Sequence, residues 1–287
     1  MKVYTHSKYN YVTIAEIPLA DIEKLDIAMC AQPKESLEKF YKRQERKPEL
    51  LTNAGFFATS TGASVFTIVD EGKEYSVDPN NAYGFGINGG TKIEYGKYES
   101  GKYHDFVCGY PVLVVDGKPF ETNTGSEISY KARRTVMALR NGTLLMIVVD
   151  DPGLTFTALK SMLVEMRCDY AINLDGGGSA RMMVDGKTKV GTAWSRPVDS
   201  VVAVYLKQQI LYRVQAGAFS KEANAIRLRD KIRAMNDTIG AGYAKAYVRQ
   251  IDGIYKVQVG AFSTRENAER VQDDLTARGF SCYVTTV

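Results

Sequence analysis

The stretch Tyr170-Ala171-Ile172-Asn173-Leu174-Asp175-Gly176-Gly177-Gly178-Ser179 is a short apolar run that stops on a carboxylate and three successive glycines. Five residues of this composition, bounded by glycine, read as a buried strand rather than a helix. Three glycines in a row carry a large backbone entropy cost. They are placed where the chain needs unusual dihedrals or where another group must come close to its N–H donors. Asp175 then stands at a strand mouth beside several amides, an arrangement suited to an anion and to acid, base or nucleophile chemistry. The competing reading is a tight turn with a capping aspartate.

Outward from this stretch, residues 10 to about 205 read as many short strands. Asp116-Gly117, Asn141-Gly142 and Asp185-Gly186 sit between apolar runs as hairpin turns. Two helices interrupt them. One runs from Ser36 to about Lys42, the other from Thr155 to Arg167 with Leu159, Met162, Leu163 and Met166 on an inward stripe. The expectation is an α+β domain built on a mixed or antiparallel sheet.

At 287 residues the chain has room for two domains, and 45% apolar residues suit a globular core. It has no run of about 18 apolar residues and no charged-then-apolar opening, so neither a membrane span nor a signal peptide is expected. Synthesis in the cytoplasm is the expectation from this. Cys30, Cys108, Cys168 and Cys282 are scattered, with only His6 and His104 to assist them, which argues against a zinc site or a disulfide framework. A net charge of +4 is too mild for a nucleic-acid partner. The whole excess lies from Gln209 onward, with 12 Lys or Arg against 8 Asp or Glu, the remainder being balanced at 25 and 25.

That basic segment contains an internal repeat. Tyr212-Arg-Val-Gln-Ala-Gly-Ala-Phe-Ser220 recurs as Tyr255-Lys-Val-Gln-Val-Gly-Ala-Phe-Ser263, and behind the copies Ala225, Leu228 and Ile232 match Ala268, Val271 and Leu275 in helical phase. Ser263 with Glu266 has the pattern of a capping box. With strands near Ala246–Arg249 and Phe280–Val284, the plan is strand-helix-strand twice, a small ferredoxin-like βαββαβ domain. Its repeated Val-Gln-x-Gly-Ala-Phe-Ser segments resemble the SPOR domain. The resemblance implies binding to peptidoglycan glycan, with Tyr212, Gln215, Phe219, Tyr255, Gln258 and Phe262 as candidates to meet sugar. Alternation along the strands turns about half of these toward the helices instead. The domains are then 1–208 and 209–287.

In the first domain several polar groups fall at strand ends, where sites are assembled. Asn53 precedes Ala54-Gly55-Phe56-Phe57, Arg133 and Arg134 open the strand Thr135–Leu139, and Asp150-Asp151 close Leu144–Val149. Arg134 is the candidate phosphate ligand, since a guanidinium grips two oxygens of one phosphate. Asn53-Ala-Gly-Phe-Phe57, Gly109–Val114, Arg134-Thr135, Val149-Asp150, Gly153-Leu-Thr155 and Asn173–Ser179 together resemble the phosphodiester glycosidase family, from about Thr52 to Tyr205. Two positions depart from its pattern. The family usually has two glycines after the asparagine, where Ala54 stands here, and often Asp-Gly-Arg where this chain has Asp150-Asp151-Pro152, removing one candidate phosphate contact.

The resemblance implies cleavage of a sugar-1-phosphodiester of the N-acetylglucosamine type. Because a phosphate monoester is a stable leaving group, electrostatics should dominate such a reaction. Asp175 is the first candidate carboxylate and Asp150 the second, as base or to orient sugar hydroxyls. Arg134 and the N–H groups of Gly176, Gly177, Gly178 and Ser179 would hold phosphate, Asn53 would bond the N-acetyl or hydroxyl groups, and Thr155 would support. No cofactor is identified with certainty; calcium or magnesium on Asp150, Asp151 and Asp175 is the candidate. A SPOR-like domain beside a glycosidase-like one points to action at the bacterial cell wall, on peptidoglycan itself or on a teichoic-acid-like polymer. Without a signal peptide, a phage or prophage lysin released at lysis is the expected setting. The alternative from another class is a non-catalytic wall-glycan-binding protein. A serine hydrolase built on Ser179 lacks a nucleophile motif with either histidine, and a nucleotide P-loop lacks its Gly-Lys-Ser/Thr ending.

Overall fold

A computed structural model describes residues 1–80, 82–121, 130–191, 196–208 and 210–286. The chain divides into two compact units, Met1–Lys207 and Gln208–Val287.

In the first unit every described strand pairing is antiparallel. A seven-stranded sheet runs in the order Lys2–Thr5, Val12–Pro18, Thr143–Leu154, Ala132–Arg140, Tyr170–Leu174, Val112–Val115, Lys118–Pro119. A five-stranded sheet runs Lys187–Val190, Met182–Val184, Leu50–Asn53, Ser200–Leu206, Ile22–Met29. The main core lies between them and includes Ile17, Leu25, Met137, Met146, Ile172 and Val204. Helix α1 (Leu37–Arg43) covers the outer face of the five-stranded sheet through Leu37 and Phe40, which pack with Leu51 and Met183. Helix α2 (Phe156–Glu165) covers the outer face of the other, packing Leu159, Met162 and Leu163 on Ile14, Val136 and Ile147. A third sheet of Lys73–Ser76, Ile68–Asp70, Asp105–Cys108, Tyr83–Asn88 and Lys92–Lys97 adds Ile68, Phe85, Ile87 and Val107 to the main core.

Local chemistry explains these elements. The three expected hairpin turns have left-handed dihedrals at both central residues, at φ 49° and 72° for Asp116-Gly117, 41° and 70° for Asn141-Gly142, and 48° and 72° for Asp185-Gly186. Ser36 caps α1, its hydroxyl accepting from Lys39 N–H at 3.3 Å. Met166 packs, half-buried, against the same cluster as expected, but as the C-cap of α2, which ends before Arg167 at φ 59°.

The second unit is strand Tyr212–Phe219, helix α3 (Glu222–Arg233), strands Tyr247–Ile251 and Ile254–Phe262, helix α4 (Arg265–Ala277) and strand Tyr283–Thr286. Spatial order 247–251, 254–262, 212–219, 283–286 makes it a βαββαβ ferredoxin-like sheet. Ala225, Ile232, Ala268, Val271 and Leu275 are fully buried against Val214, Val257 and Val259, as the helical phase requires. Two boundaries moved. Thr264, not Ser263, caps α4 by accepting from Asn267 N–H at 3.4 Å. The last strand begins at Tyr283, since Arg278 and Phe280 still bond back to the end of α4.

Candidate functional site

Asp175 is the first residue beyond the 170–174 strand, and its backbone is clamped across the sandwich. Its N–H donates to Ala54 O at 3.1 Å, and its carbonyl accepts from Asn53 Nδ2 at 2.6 Å. Asn53 is wholly buried, and its Oδ1 accepts from the Thr135 hydroxyl at 2.8 Å and from Arg181 N–H at 3.1 Å. The expectation that Asn53 meets a sugar is therefore corrected. Its amide is used within the protein to fix Asp175, with no face toward solvent. Ala54 is likewise a core residue, so its methyl group packs inside and does not alter the surface of the site.

The Asp175 carboxylate accepts from its neighbour's N–H, Gly176, at 2.9 Å through Oδ1, while Oδ2 stands 3.8 Å from Arg196 Nη2. Arg196 is held in turn. Its Nε donates to Ser179 Oγ at 2.8 Å, its N–H donates to Gly178 O at 3.1 Å, and its guanidinium lies 5.6 Å from the Phe57 ring centroid. Burial pushes the Asp175 carboxyl up, opposed by hydrogen bonding from Ser179, the positive charge of Arg196 and the Gly176 N–H.

The three glycines have separate reasons. A Cβ on Gly176 would stand 2.6 Å from Arg133 O, and Gly177 has φ +56°. At Gly178 a Cβ would meet only the Arg196 side chain, at 3.8 Å. Packing requires glycine at Gly176 and the backbone conformation favours it at Gly177, whereas at Gly178 a side chain would make only ordinary contact. The amide nest is smaller than expected, because Gly176 N–H serves Asp175 and Ser179 N–H donates to Gly176 O at 3.0 Å.

Other candidates lie elsewhere. Arg134 is turned to the outer face, its guanidinium 3.9 Å from the Phe156 ring centroid and its Nη2 donating to Tyr130 O at 2.9 Å. Alternation along the strand puts Arg133 on the face of Met137, toward the main core, and Arg134 on the face of Val136, toward α2. Arg133 Nη2 donates to Ala180 O at 2.8 Å and its Nε pairs with Asp150 Oδ1 at 2.9 Å. Thr155 is the N-cap of α2, accepting from Ala158 N–H at 3.2 Å. Asp150 and Asp151 line a separate polar cleft with residues of the N-terminal hairpin.

Among the described residues the group of three acids close enough to share a cation is Asp26, Asp70 and Asp105, none of which the sequence singled out, while Asp150, Asp151 and Asp175 are not gathered. Lys24 Nζ lies 2.7 Å from Asp26 and His104 Nδ1 3.2 Å from Asp105, so side chains of the protein already face two of the three. Ser179 has Arg196 and Asp175 as neighbours, while His6 and His104 are placed elsewhere, so it lacks the serine–histidine pairing of a serine hydrolase.

In the second unit, directly paired residues place Tyr247, Gln258, Gln215 and Tyr283 in one row across all four strands. Val284, Val214 and Val259 form the adjacent row on the other face, packed in the core with α3 and α4. Side chains of paired residues share a face, so the Tyr-Gln-Gln-Tyr row lies on the side without helices. Gln258 accepts from the Tyr247 hydroxyl at 2.9 Å, and Tyr283 is 54% exposed. Phe219 and Phe262 depart from expectation. Both pack against the core of α3 and α4, and a Cβ on Gly260 would fall 2.1 Å from the Phe262 ring.

The sequence profile of phosphodiester glycosidases matches residues 46–205, more than half of the chain. The chain belongs to the phosphodiester glycosidase family. A SPOR domain profile matches residues 209–286, and SPOR domains bind peptidoglycan. Among solved structures, the catalytic domain of zebrafish N-acetylglucosamine-1-phosphodiester alpha-N-acetylglucosaminidase, auto-inhibited by its pro-peptide, is similar with a TM-score of 0.57 and 20% identity over 72% of this chain and 81% of that one. A hypothetical protein from Synechocystis is similar with a TM-score of 0.61 and 13% identity, over 72% of this chain and 61% of its own. These two share the fold. The peptidoglycan-binding domain of the B. subtilis cell wall lytic enzyme CwlC is 36% identical over 28% of this chain and 94% of that chain, with a TM-score of 0.24. No curated protein matches the chain. Among the described residues no helix is long and apolar enough to cross a membrane.

Within the glycosidase unit, sequence reasoning missed Arg196 and Asp199. Asp199 is fully buried; its Oδ2 accepts from Ser64 Oγ and its Oδ1 from Ser200 Oγ, each at 2.8 Å. Ser200 Oγ accepts in turn from Gly55 N–H at 3.0 Å. Burial, with the nearby Asp175 charge adding to it, pushes Asp199 up to about 6. A lone aspartate before an apolar strand gives no signal of this in sequence.

Proposed function

We propose that the first unit hydrolyses the C1–O bond of a sugar-1-phosphodiester, of the N-acetylglucosamine-1-phosphodiester kind, and that the SPOR domain holds it on bacterial cell-wall glycan. The observation that carries the reading is one carboxylate facing one guanidinium, Asp175 Oδ2 and Arg196 Nη2 at 3.8 Å, beside a glycine that packing does not require. Arg196 replaces Arg134 as the group to receive phosphate.

Arg196 and the open amide edge at Gly177-Gly178 take the phosphate oxygens. Their positive potential grows in value as the bridging oxygen leaves with both bonding electrons. Asp175 stabilises the oxocarbenium-like charge at C1, and water adds there, giving a free sugar and a phosphate monoester. The leaving group is already a stable anion, so little proton donation is needed, consistent with a site without histidine among its described residues. Asn53 and Thr135 act only through the position of Asp175. Natural substrates of this type include wall polymers joined through phosphodiesters, such as a teichoic-acid-like chain.

The test is release of sugar and phosphate monoester from uridine-linked N-acetylglucosamine-1-phosphate and from purified walls, beside Asp175→Asn. Cleavage lost in the variant, with its fold intact by circular dichroism, supports the reading. An active, folded Asp175→Asn removes Asp175 from the mechanism, and no product from either substrate leaves a wall-binding protein.

A further inference from the structure

A polar cleft of about 560 Å³, separate from the Asp175 turn, is lined by Thr5, Asn10, Tyr11, Thr13, Asp150, Asp151, Pro152, Lys189 and Val190. It belongs to the same end of the sandwich as Asp175. Thr5 pairs with Thr13, Thr13 with Val148, and Asp150 N–H donates to Tyr11 O at 2.8 Å. These strand ends on the seven-stranded sheet face Lys187–Val190 of the other sheet. Arg133 joins cleft and turn, since one guanidinium reaches both Asp150 Oδ1 and Ala180 O, the carbonyl that follows Ser179.

Charge defines what the cleft can take. Asp150 is neutralised by Arg133, and Asp151 stands among the lining residues with Lys189, so no net charge remains to draw in a phosphate or a cation. What is presented is a set of hydroxyl, amide and carboxylate groups with a tyrosine beside them. Such groups bond the hydroxyls of a neutral sugar, and the volume is within the range of small-ligand sites. The hairpin Lys2–Pro18, which supplies four of the nine lining residues, lies outside residues 46–205, so it adds a wall that the family match does not include.

We propose that this cleft is a saccharide subsite, taking a neutral N-acetylhexosamine-type unit of a longer chain while Asp175 acts on the phosphodiester beside it. The identity of the sugar rests on the proposed function; the existence of the subsite does not require turnover. Asp150 and Asp151 accept from ring hydroxyls, and Asn10 and the threonines supply the remaining bonds. Longer substrates should then bind better than a single sugar phosphodiester.

The experiment uses the full-length protein, isotope-labelled, titrated with the β-1,4-linked N-acetylglucosamine tetramer and followed by amide NMR shifts. The expected result is saturable shifts at residues 5, 10–13, 151, 189 and 190, separate from those on the SPOR sheet. Asn10→Ala and Asp151→Asn should weaken the cleft response at least fivefold and leave the response at Gln215 and Gln258 unchanged. They should also leave hydrolysis of the uridine-linked single-sugar diester within twofold of the original. Shifts confined to the SPOR sheet, or a cleft response indifferent to both variants, overturn the subsite. Neither result bears on Asp175, whose failure would be seen as absent turnover of the small diester.

Discussion

Arg196 and Arg134 separate two roles that one residue type can fill. Arg196→Ala should raise KM for a sugar-1-phosphodiester at least tenfold, because a charge-assisted contact is lost, with little change in melting temperature. Arg134→Ala should act on stability instead, costing about 1–2 kcal/mol through the lost ring contact and carbonyl bond, with KM unchanged. Steady-state kinetics beside thermal melts tell these apart; the reverse pattern would return the phosphate to Arg134. Asp199 gives a pH signature. Its folded value of about 6 lies above the unfolded value near 4, so the folded state holds the extra proton between them. Stability is then present below about pH 4 and falls as pH rises through 6, by about 3 kcal/mol at most. Asp199→Asn should flatten that part of the urea-midpoint curve, and an unchanged slope would show that Asp199 does not titrate there. The Asp175 turn could be read in sequence because a strand ending in glycines is a local pattern. Arg196 could not be, since it reaches Ser179 and Asp175 across the fold with no fixed spacing. The choice between Arg133 and Arg134 follows strand alternation, but a strand apolar on both faces does not show in sequence which face is the inner one.

At the level of elements, the helices were legible through their apolar phase, and their ends less so. Thr155 fits a family motif and also fits an N-cap, and the structure uses the second property. Thr155→Ala should therefore cost about 1 kcal/mol of stability and leave KM and kcat within twofold. A selective fall in kcat, without destabilisation, would restore a substrate role. The SPOR sheet shows why alternation alone was insufficient. Gln215 and Gln258 lie on the helix-free side yet are only 6% and 3% exposed, and bulges between Tyr212 and Val214 and between Gln215 and Gly217 change the phase before each phenylalanine. Phe219 and Phe262 consequently pack, half-buried, against the core, and the rings beside the glutamines come from Tyr247 and Tyr283, on the two outer strands. Neither tyrosine lies within the repeated motif, so the repeat reveals the sheet and hides its aromatic flanks.

At the scale of the whole chain, a unit of the phosphodiester glycosidase family and a SPOR domain share one polypeptide, and on the proposed function the consequence is local concentration. A catalytic unit tethered to wall glycan meets wall-borne phosphodiesters as an intramolecular encounter, an advantage that reaches about 100-fold for short connections. The soluble diester receives none of it. Replacing the two outer rings, Tyr247→Ala with Tyr283→Ala, should leave kcat/KM for the uridine-linked diester within twofold and lower sugar-phosphate release from purified walls at least tenfold. Both residues lie on the surface side of the sheet, so the fold should persist, checked by melting temperature. Equal loss on both substrates would mean that the substitutions disturb the catalytic unit, and no loss on walls would mean that the SPOR sheet row does not deliver the enzyme. Salt supplies an independent handle. The basic excess from Gln209 onward is on the exposed surface of a unit whose sheet row is uncharged, so wall binding through that row should survive 0.5 M salt, whereas binding by charge alone should not, the Debye length falling to roughly 4 Å.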